Sequence, residues 1–93
     1  MYLYHGTSGD NVSHIFGSGC IKKMGRNYIH LTDDGREAWK VGKRHGTPAV
    51  IVLDAPRMLA DGYKFWKPVT DRYYFVEDDI PVSYILEIKW TSM

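Results

Sequence analysis

Histidine, arginine and small polar residues are concentrated in three short segments of this 93-residue chain. The segments are 4–7 (YHGT), 26–32 (RNYIHLT) and 41–48 (VGKRHGTP). A guanidinium can bind two phosphate oxygens at once, while imidazole and hydroxyl groups form single hydrogen bonds. Each segment has the composition of a strand end or a turn, so we expect all three to line one phosphate-binding cleft.

The first two segments carry candidate ligand-binding residues. His5, Gly6 and Thr7 offer a ring donor, close approach of the backbone and a hydroxyl group. His30 and Thr32 are two residues apart on a predicted strand, so both could point into the cleft from the same side. A histidine in a strand is more often a hydrogen-bonded structural residue, and that alternative stays open for both histidines.

The remaining histidines have plainer interpretations. We expect His14 on the polar side of a predicted helix, whereas His45 adjoins a turn and either caps the preceding helix or joins the site. No pair among the four histidines and the single Cys20 has a convincing ligand spacing on one element. No metal site is predicted.

Length and composition predict a single domain over residues 1–93 with one modest core. The chain is 44% hydrophobic and 25% charged, which is typical of a folded protein. One cysteine cannot form an internal disulfide, and we find neither a signal stretch nor an apolar run of membrane-spanning length. We therefore expect a cytoplasmic protein without a membrane partner.

Charge is unevenly distributed, although the net charge is only +1. Residues 18–50 contain seven Lys or Arg and three Asp or Glu, a net charge of +4, whereas residues 51–93 carry a net charge of −2. The basic middle third suits phosphate-bearing ligands, and a solvated surface of mixed charge is the alternative.

Hydrophobic patterning predicts strands over 1–5, 27–31, 63–66, 73–76 and 82–90, with a central buried strand over 49–53. A first helix is predicted with Asp10 as its N-cap, Val12, Ile15 and Phe16 as its apolar stripe, and an end at Gly17 and Gly19. A second is predicted from the N-cap Thr32 to about Lys43, and a short turn or helical piece follows Asp54. Helices early and strands late indicate an α+β domain with a split or curved antiparallel sheet.

Aromatic residues cluster late in the chain, at Phe65, Trp66, Tyr73, Tyr74 and Phe75. We interpret this cluster as part of the core, because large aromatic side chains contribute most when buried. A base-stacking platform is the alternative.

The same segments resemble, in the same order, the C-terminal lobe of KptA-type RNA 2′-phosphotransferases. The resemblance runs from about residue 2 to residue 86 and also includes 54–55 (DA), Met58, Gly62, Phe65 and 80–81 (IP). A lone His-Gly-Thr is a weak signal, but five motifs in sequence are a strong one. The resemblance implies a small ADP-ribosyltransferase-like domain, α+β, with a split or curved, mostly antiparallel sheet and two short helices.

The resemblance also implies an activity, NAD-dependent ADP-ribosyl transfer, with NAD as co-substrate and a nucleic-acid or other phosphate-bearing acceptor. Nicotinamide leaves NAD as a neutral group through an oxocarbenium-like transition state, so positioning matters more than acid catalysis. Arg44 would lie against the transferred phosphate and His30 would be the second catalytic residue. The residues expected to bind NAD are His5, Gly6, Thr7, Arg26, His30 and Thr32. For Arg44, the alternative is a solvated side chain at a helix end, where its charge favours the helix dipole.

Departures from the family pattern bear on the substrate. Asn27 stands where a second histidine is common, and 71–75 (DRYYF) replace the usual Asn-Gly-Val-Trp-Leu. Arg72 and Tyr73 would bring charge and bulk close to the expected position of the nicotinamide ribose. Full-length members carry an N-terminal lobe that grips the RNA 2′-phosphate, and we expect this chain to begin at the second lobe.

Two alternatives to ADP-ribosyl transfer by this domain remain open. One is full RNA 2′-phosphotransferase activity, alone or with a separate RNA-binding lobe; for ADP-ribosyl transfer itself, a protein target also stays open. The other is a non-catalytic module that binds NAD, ADP-ribose or an RNA end. A more distant similarity to antibiotic-modifying ADP-ribosyltransferases keeps a small-molecule acceptor in view.

Overall fold

A three-stranded antiparallel sheet with an apolar middle strand forms the centre of the fold. The computed structural model describes residues 2–91, so Met1 of the first predicted strand lies outside the described residues. In chain order the elements are β1 (Leu3–Ser8), α1 (Gly9–Ser18), β2 (Cys20–Ile21), β3 (Ile29–Leu31), α2 (Gly35–Lys43), β4 (Pro48–Leu53), α3 (Ala55–Ala60), β5 (Tyr74–Val76), β6 (Ile80–Pro81), a 3-10 turn (Val82–Tyr84) and β7 (Ile85–Lys89).

Strand β4 lies between β1 and β7 and pairs antiparallel with both. Residues 49–53 are all buried, with relative exposures of 3% or less. A strand that is apolar on both faces must be covered by other elements on both faces. Helix α2 covers one of them, where it packs against β1 and β4. The predicted central strand is confirmed and begins one residue earlier, at Pro48.

The remaining strands form two separate two-stranded ladders, β2 with β6 and β3 with β5. Strand β3 is linked to β1 by reciprocal backbone bonds, in which Tyr4 and Thr32 each donate an N–H to the other's carbonyl at 2.8 and 2.9 Å. Every strand pairing in residues 2–91 is antiparallel. The α+β class with a split sheet is confirmed, with three α-helices rather than two.

Helix α1 is capped by Ser8, so the predicted N-cap, Asp10, is wrong. Strand β1 runs to Ser8 and brings its hydroxyl to the helix start, where Oγ accepts the Asn11 N–H at 3.2 Å. Asp10 lies in the first turn, where a carboxylate interacts favourably with the helix N-terminus.

The other end of α1 agrees with the sequence. Gly19 has φ +87° and donates its N–H to the Ile15 carbonyl, a left-handed C-cap that glycine adopts without strain. Val12 and Ile15 are buried as predicted, and His14 is exposed. Phe16 is also exposed, because one residue beyond Ile15 is a rotation of about 100° around the helix.

Helix α2 is capped by Asp34, not by Thr32. The Asp34 carboxylate accepts the Arg36 N–H at 2.9 Å, while Thr32 Oγ1 accepts the N–H of Asp34 itself at 3.1 Å. Thr32 is held in the sheet by its bonds to Tyr4, so the helix starts later than the threonine suggested. The predicted end at Lys43 is confirmed.

Two predicted late strands are shorter than expected. In 63–66 only Trp66 pairs, through one bridge to Phe75, and in 82–90 the first three residues form the 3-10 turn. Tertiary bonds override the strand pattern there, since Tyr84 donates its hydroxyl to Asp61 Oδ2 at 2.5 Å and accepts the Asp54 N–H at its carbonyl. The short strands β2 and β6 carry no sequence signal of their own.

The aromatic cluster is only partly core. Phe65 and Tyr74 pack against the buried cluster, as predicted. Trp66 is 56% exposed, and Tyr73 and Phe75 are half-buried on the outer side of the β3–β5 ladder. The core interpretation is therefore wrong for these three residues, because alternate residues of a strand point to opposite faces.

Helix α2 crosses β1 at two glycines. A Cβ on Gly6 would lie 1.9 Å from the Ala38 carbonyl oxygen, and a Cβ on Gly42 would lie 2.7 Å from the Thr7 carbonyl oxygen. No side chain fits in either place, so both residues are needed for this helix and strand to approach each other. We refer to this contact as the glycine crossing.

Within residues 2–91, no helix has the length and apolar character required to cross a bilayer.

Candidate functional site

One cleft of about 580 Å³ is bounded by β1, β3, the end of α2 and the loop between β2 and β3. It brings together side chains from all three sequence segments. Every residue that the sequence selected for the site lines this cleft: His5, Gly6, Thr7, Arg26, His30, Thr32 and Arg44. His45 lines it as well.

His5 is fixed by the neighbouring strand. Its Nδ1 donates to the His30 carbonyl oxygen at 3.0 Å, because a carbonyl can only accept. Burial lowers the pKa of the His5 imidazole, an effect partly opposed by this hydrogen bond, and the nearby His30 and His45 lower it further. The ring is thus held neutral near pH 7, with Nε2 as its acceptor.

This arrangement predicts a pH effect on stability. The native pKa of His5 lies below the ordinary value of 6.5, so the unfolded chain binds a proton first as the pH falls, and the stability present above about pH 6.5 is lost below it. His5→Asn keeps a donor near the Nδ1 position but cannot titrate. We expect urea unfolding to show a smaller loss of stability between about pH 7.5 and pH 5.5 in His5→Asn than in the parent.

The matched control for this measurement is His14→Asn, since His14 is exposed on α1. The stability of His14→Asn should change between these pH values as much as that of the parent. An unchanged pH dependence in His5→Asn would contradict the neutral state assigned to the His5 ring.

His30 lies on β3 among aromatic rings. Its ring makes edge-to-face contacts with Phe75, at 4.8 Å between centroids, and with Tyr73, at 6.0 Å. Burial lowers the pKa of His30, the Arg26 cation lowers it further, and Asp71 opposes them. His30 therefore enters the site as a mainly neutral ring near pH 7.

Arg44 is exposed and forms the C-cap of α2. Its charge interacts favourably with the dipole at the C-terminal end of α2, which agrees with the interpretation of Arg44 as a solvated residue at a helix end. The same residue also lines the cleft. Its positive charge acts on the Tyr73 phenol, which it stabilises in the ionised form. The two interpretations of Arg44 are thus compatible.

The sequence did not single out Asn11 or the two lysines at the cleft rim. Asn11 Nδ2 donates to Thr7 Oγ1 at 2.8 Å, which orients the hydroxyl and leaves its proton to be donated elsewhere. Asn11 lies four residues after Thr7, across the strand-to-helix junction, where side-chain contacts are hard to foresee. Lys22 and Lys23 were only part of the basic middle third, and both line the cleft.

Tyr73 lines the cleft, and a second cavity of about 350 Å³ is lined in part by Glu37, Lys67 and Arg72. The Tyr73 hydroxyl donates to Glu37 Oε2 at 2.6 Å, and Arg72 Nη1 lies 3.5 Å from Glu37 Oε1. Burial, together with this hydrogen bond and the Glu37 charge, raises the pKa of Tyr73 to about 12. As expected from the sequence, Tyr73 adds bulk to the cleft, but Arg72 faces the second cavity.

Glu37 allows a comparison of two contacts on one carboxylate. Its side chain is only 13% exposed, whereas that of Arg72 is 80% exposed. We expect Tyr73→Phe to reduce the free energy of unfolding by about 1–2 kcal/mol, since a mostly buried carboxylate loses a charge-assisted hydrogen bond. Arg72→Ala should cost at most about 0.5 kcal/mol, because exposed ion pairs are weak.

Urea unfolding of both variants at neutral pH measures this difference. Equal losses in Tyr73→Phe and Arg72→Ala would contradict the assignment of the phenol as the main partner of Glu37.

Among residues 2–91, no three His, Cys, Asp or Glu side chains gather in a geometry that could hold a metal ion.

The sequence matches a protein-family model over most of its length. Residues 1–73 match the model described as RNA 2′-phosphotransferase, Tpt1 / KptA family. The chain belongs to this family. The matched range contains all seven predicted site residues and ends at Tyr73.

Relatives in the RNA 2′-phosphotransferase family are longer than this chain. A probable RNA 2′-phosphotransferase of Flavobacterium johnsoniae is 38% identical over 84 residues, which are 90% of this chain and 44% of the relative. Another from Acaryochloris marina is 32% identical over 87 residues, covering 94% and 46% of the two chains. The chain thus spans about half the length of the curated relatives it matches.

A solved structure has the same fold. Protein CC0527 from Caulobacter crescentus superposes with a TM-score of 0.70 at 14% identity, covering 96% of this chain and 84% of that one. At this identity the likeness concerns the fold alone, so the assignment to the RNA 2′-phosphotransferase family depends on the sequence match.

Proposed function

We propose that this chain transfers the ADP-ribosyl group of NAD to a phosphate-bearing acceptor, and that the acceptor is the 2′-phosphate of RNA. One observation carries the proposal: a single cleft is lined by His5, His30, Arg26 and Arg44, which are spread over 40 residues of sequence. Membership of the RNA 2′-phosphotransferase family supports the same chemistry.

The residues of the cleft fit NAD. A volume of about 580 Å³ falls within the range of small-molecule sites. Lys22, Lys23, Arg26 and Arg44 supply positive charge for a pyrophosphate, and the neutral His5 and the Thr7 hydroxyl supply hydrogen bonds for a ribose or an amide. The predicted roles of His5, Gly6, Thr7, Arg26, His30 and Thr32 in NAD binding rest on this fit.

Arg44 has the chemistry to position the acceptor. NAD bound in the cleft would supply an electrophilic ribose carbon and a leaving group that departs neutral. The Arg44 guanidinium can grip two oxygens of the acceptor phosphate and hold the third toward that carbon. Arg26 would neutralise a phosphate of NAD or of the acceptor.

His30 contributes by remaining neutral. Positive charge develops on the ribose in the transition state, and a protonated imidazole beside it would raise the barrier. Burial and the Arg26 cation keep the pKa of His30 low, so its ring adds no charge near pH 7 and can accept a hydrogen bond from a ribose hydroxyl.

The test is incubation of the purified chain with NAD and an RNA oligonucleotide that carries one internal 2′-phosphate. We expect release of nicotinamide as the ADP-ribosyl group joins the 2′-phosphate. A ribose hydroxyl of that group would then attack the phosphorus and displace the RNA oxygen, which yields 2′-OH RNA and a cyclic-phosphate ADP-ribose. The matched control is the same RNA with a 2′-OH. Absence of nicotinamide release with RNA, DNA, protein and cell extract as acceptors would overturn the proposal.

A second arm addresses the length of the relatives. The unmatched half of the Flavobacterium johnsoniae relative can be added as a separate polypeptide, since this chain aligns to only 44% of that protein. RNA processing that needs this addition would identify the chain as one lobe of a full RNA 2′-phosphotransferase. Tight NAD binding in calorimetry without nicotinamide release in either arm would instead identify a non-catalytic binding module.

A further inference from the structure

The outer side of the β3–β5 ladder carries a row of rings. His30 pairs with Phe75 across the ladder, and Phe75 pairs in turn with Trp66 through backbone bonds of 3.0 and 2.6 Å. Because cross-strand partners project to the same face, these three side chains share the outer face. The alternate residues Ile29 and Leu31 are buried on the inner side.

Neighbouring residues extend this row. Tyr28 stacks on Phe75 with centroids 5.5 Å apart and planes 20° apart, and Tyr73 meets His30 edge-on. Trp66 is 56% exposed and Tyr28 is 37% exposed. We call this surface the aromatic face; its members are Tyr28, His30, Trp66, Tyr73 and Phe75.

The aromatic face continues beyond the cleft. Tyr28, His30 and Tyr73 line the cleft, whereas Phe75 and Trp66 are not among its lining residues. A dinucleotide that fills the cleft would therefore leave the Phe75 and Trp66 end uncovered. A ligand that covers both parts must be longer than a dinucleotide.

Positive charges flank the aromatic face on the cleft side. Lys22, Lys23 and Arg26 line the cleft together with Tyr28. The second cavity has mixed charge, because Lys67 and Arg72 line it together with Asp33, Asp34, Glu37 and Asp71. The Asp71 Oδ1 accepts the Tyr73 N–H at 3.0 Å. Rings for stacking beside cations for phosphates are the combination that binds single-stranded nucleic acid.

We propose that the aromatic face stacks the bases of a single-stranded RNA whose phosphate occupies the cleft, an inference that rests on the proposed function. Stacking uses the π-face common to all bases, so it tolerates many sequences. A duplex hides its bases from such a surface. The substrate class is therefore RNA that is single-stranded on at least one side of the reacting phosphate.

The test measures RNA binding without NAD, by fluorescence anisotropy of a labelled single-stranded oligonucleotide of about eight nucleotides. Trp66→Ala should weaken binding about tenfold, and Trp66→Phe should keep it within about threefold, since phenylalanine still stacks. Tyr28→Leu, which keeps an apolar side chain without a π-face, should also weaken binding. Trp90→Ala is the matched control, because Trp90 is 53% exposed and lies over Gly9 at the start of α1.

Several results would overturn the aromatic face as an RNA site. The first is that the parent does not bind single-stranded RNA, and the second is that Trp66→Ala binds it as tightly as the parent. The third is that Trp66→Phe and Trp66→Ala lose equal RNA affinity. The fourth is that Trp66→Ala loses NAD affinity but no RNA affinity. A failure of the proposed function can be told apart from a failure of the RNA site. If RNA binding depends on Trp66 but no nicotinamide is released, the RNA site is upheld and the transfer reaction is rejected.

Discussion

Arg44→Ala is expected to lower kcat/KM for NAD-dependent transfer by about 100-fold to 1000-fold, the usual cost of removing one donor that stabilises transition-state charge. The guanidinium is expected to hold the acceptor phosphate through two parallel hydrogen bonds, so Arg44→Lys should restore little activity. Nicotinamide release at several NAD and RNA concentrations measures the effect.

Lys43→Ala is the matched control for Arg44→Ala. Lys43 lies in the last turn of α2, next to the Arg44 C-cap, and contributes the same favourable charge to the helix end without lining the cleft. Each variant should lose roughly 0.3–1 kcal/mol of stability or less, and only Arg44→Ala should lose activity. Equal losses of activity would mean that Arg44 acts only through the helix end.

Gly6→Ala is expected to destabilise the fold by about 3 kcal/mol or more, through the glycine crossing. The added Cβ would meet the Ala38 carbonyl oxygen at 1.9 Å and its carbonyl carbon at 2.8 Å. These are backbone atoms that cannot rotate away, and Gly6 itself is fixed opposite Val50 in the β1–β4 ladder. Urea unfolding measures the loss, or the absence of a folded state.

Gly17→Ala supplies a control of opposite sign. Gly17 lies within α1, and a Cβ there would have nothing within 4 Å. Alanine in a helix is favoured over glycine by about 0.5–1 kcal/mol, so this variant should be slightly more stable than the parent. A Gly6→Ala variant within about 1 kcal/mol of the parent would contradict the close contact at the crossing.

Gly6 has a packing role that the sequence did not indicate. The sequence suggested that its missing side chain admits a ligand. In the structure the group that approaches it is the carbonyl of Ala38, although Gly6 also lines the cleft. Its role in NAD binding stays a prediction, while its role in packing follows from the contact distances.

Local patterns predicted the elements that depend on local chemistry. The run 49–53 is apolar at every position, which is specific to a strand covered on both faces, and Gly19 ends α1 through a conformation that few other residues adopt. The segments 4–7, 26–32 and 41–48 lie at strand ends and at a helix end, and the fold brings them together in one cleft. The same reasoning predicted the grouping of His5, His30 and Arg44.

Contacts between distant residues carried no such signal. Ser8 and Asp10 were both acceptable helix caps, and only the length of β1 decided between them. Tyr73 forms a hydrogen bond with Glu37, which is 36 positions away in the sequence, and the residues around each of them do not indicate this pairing. The aromatic face was predicted only as the alternative to a core cluster, because the choice depends on the pairing of strands that the sequence leaves open.

The glycine crossing also fixes the position of Arg44. Gly42 packs against the Thr7 carbonyl and lies two residues before Arg44, or about 3 Å along the helix axis. A side chain at Gly42 would push this end of α2 away from β1, and a displacement of about 1 Å can cost about 100-fold in rate. Turnover should therefore respond to substitutions at the crossing that are too mild to unfold the chain.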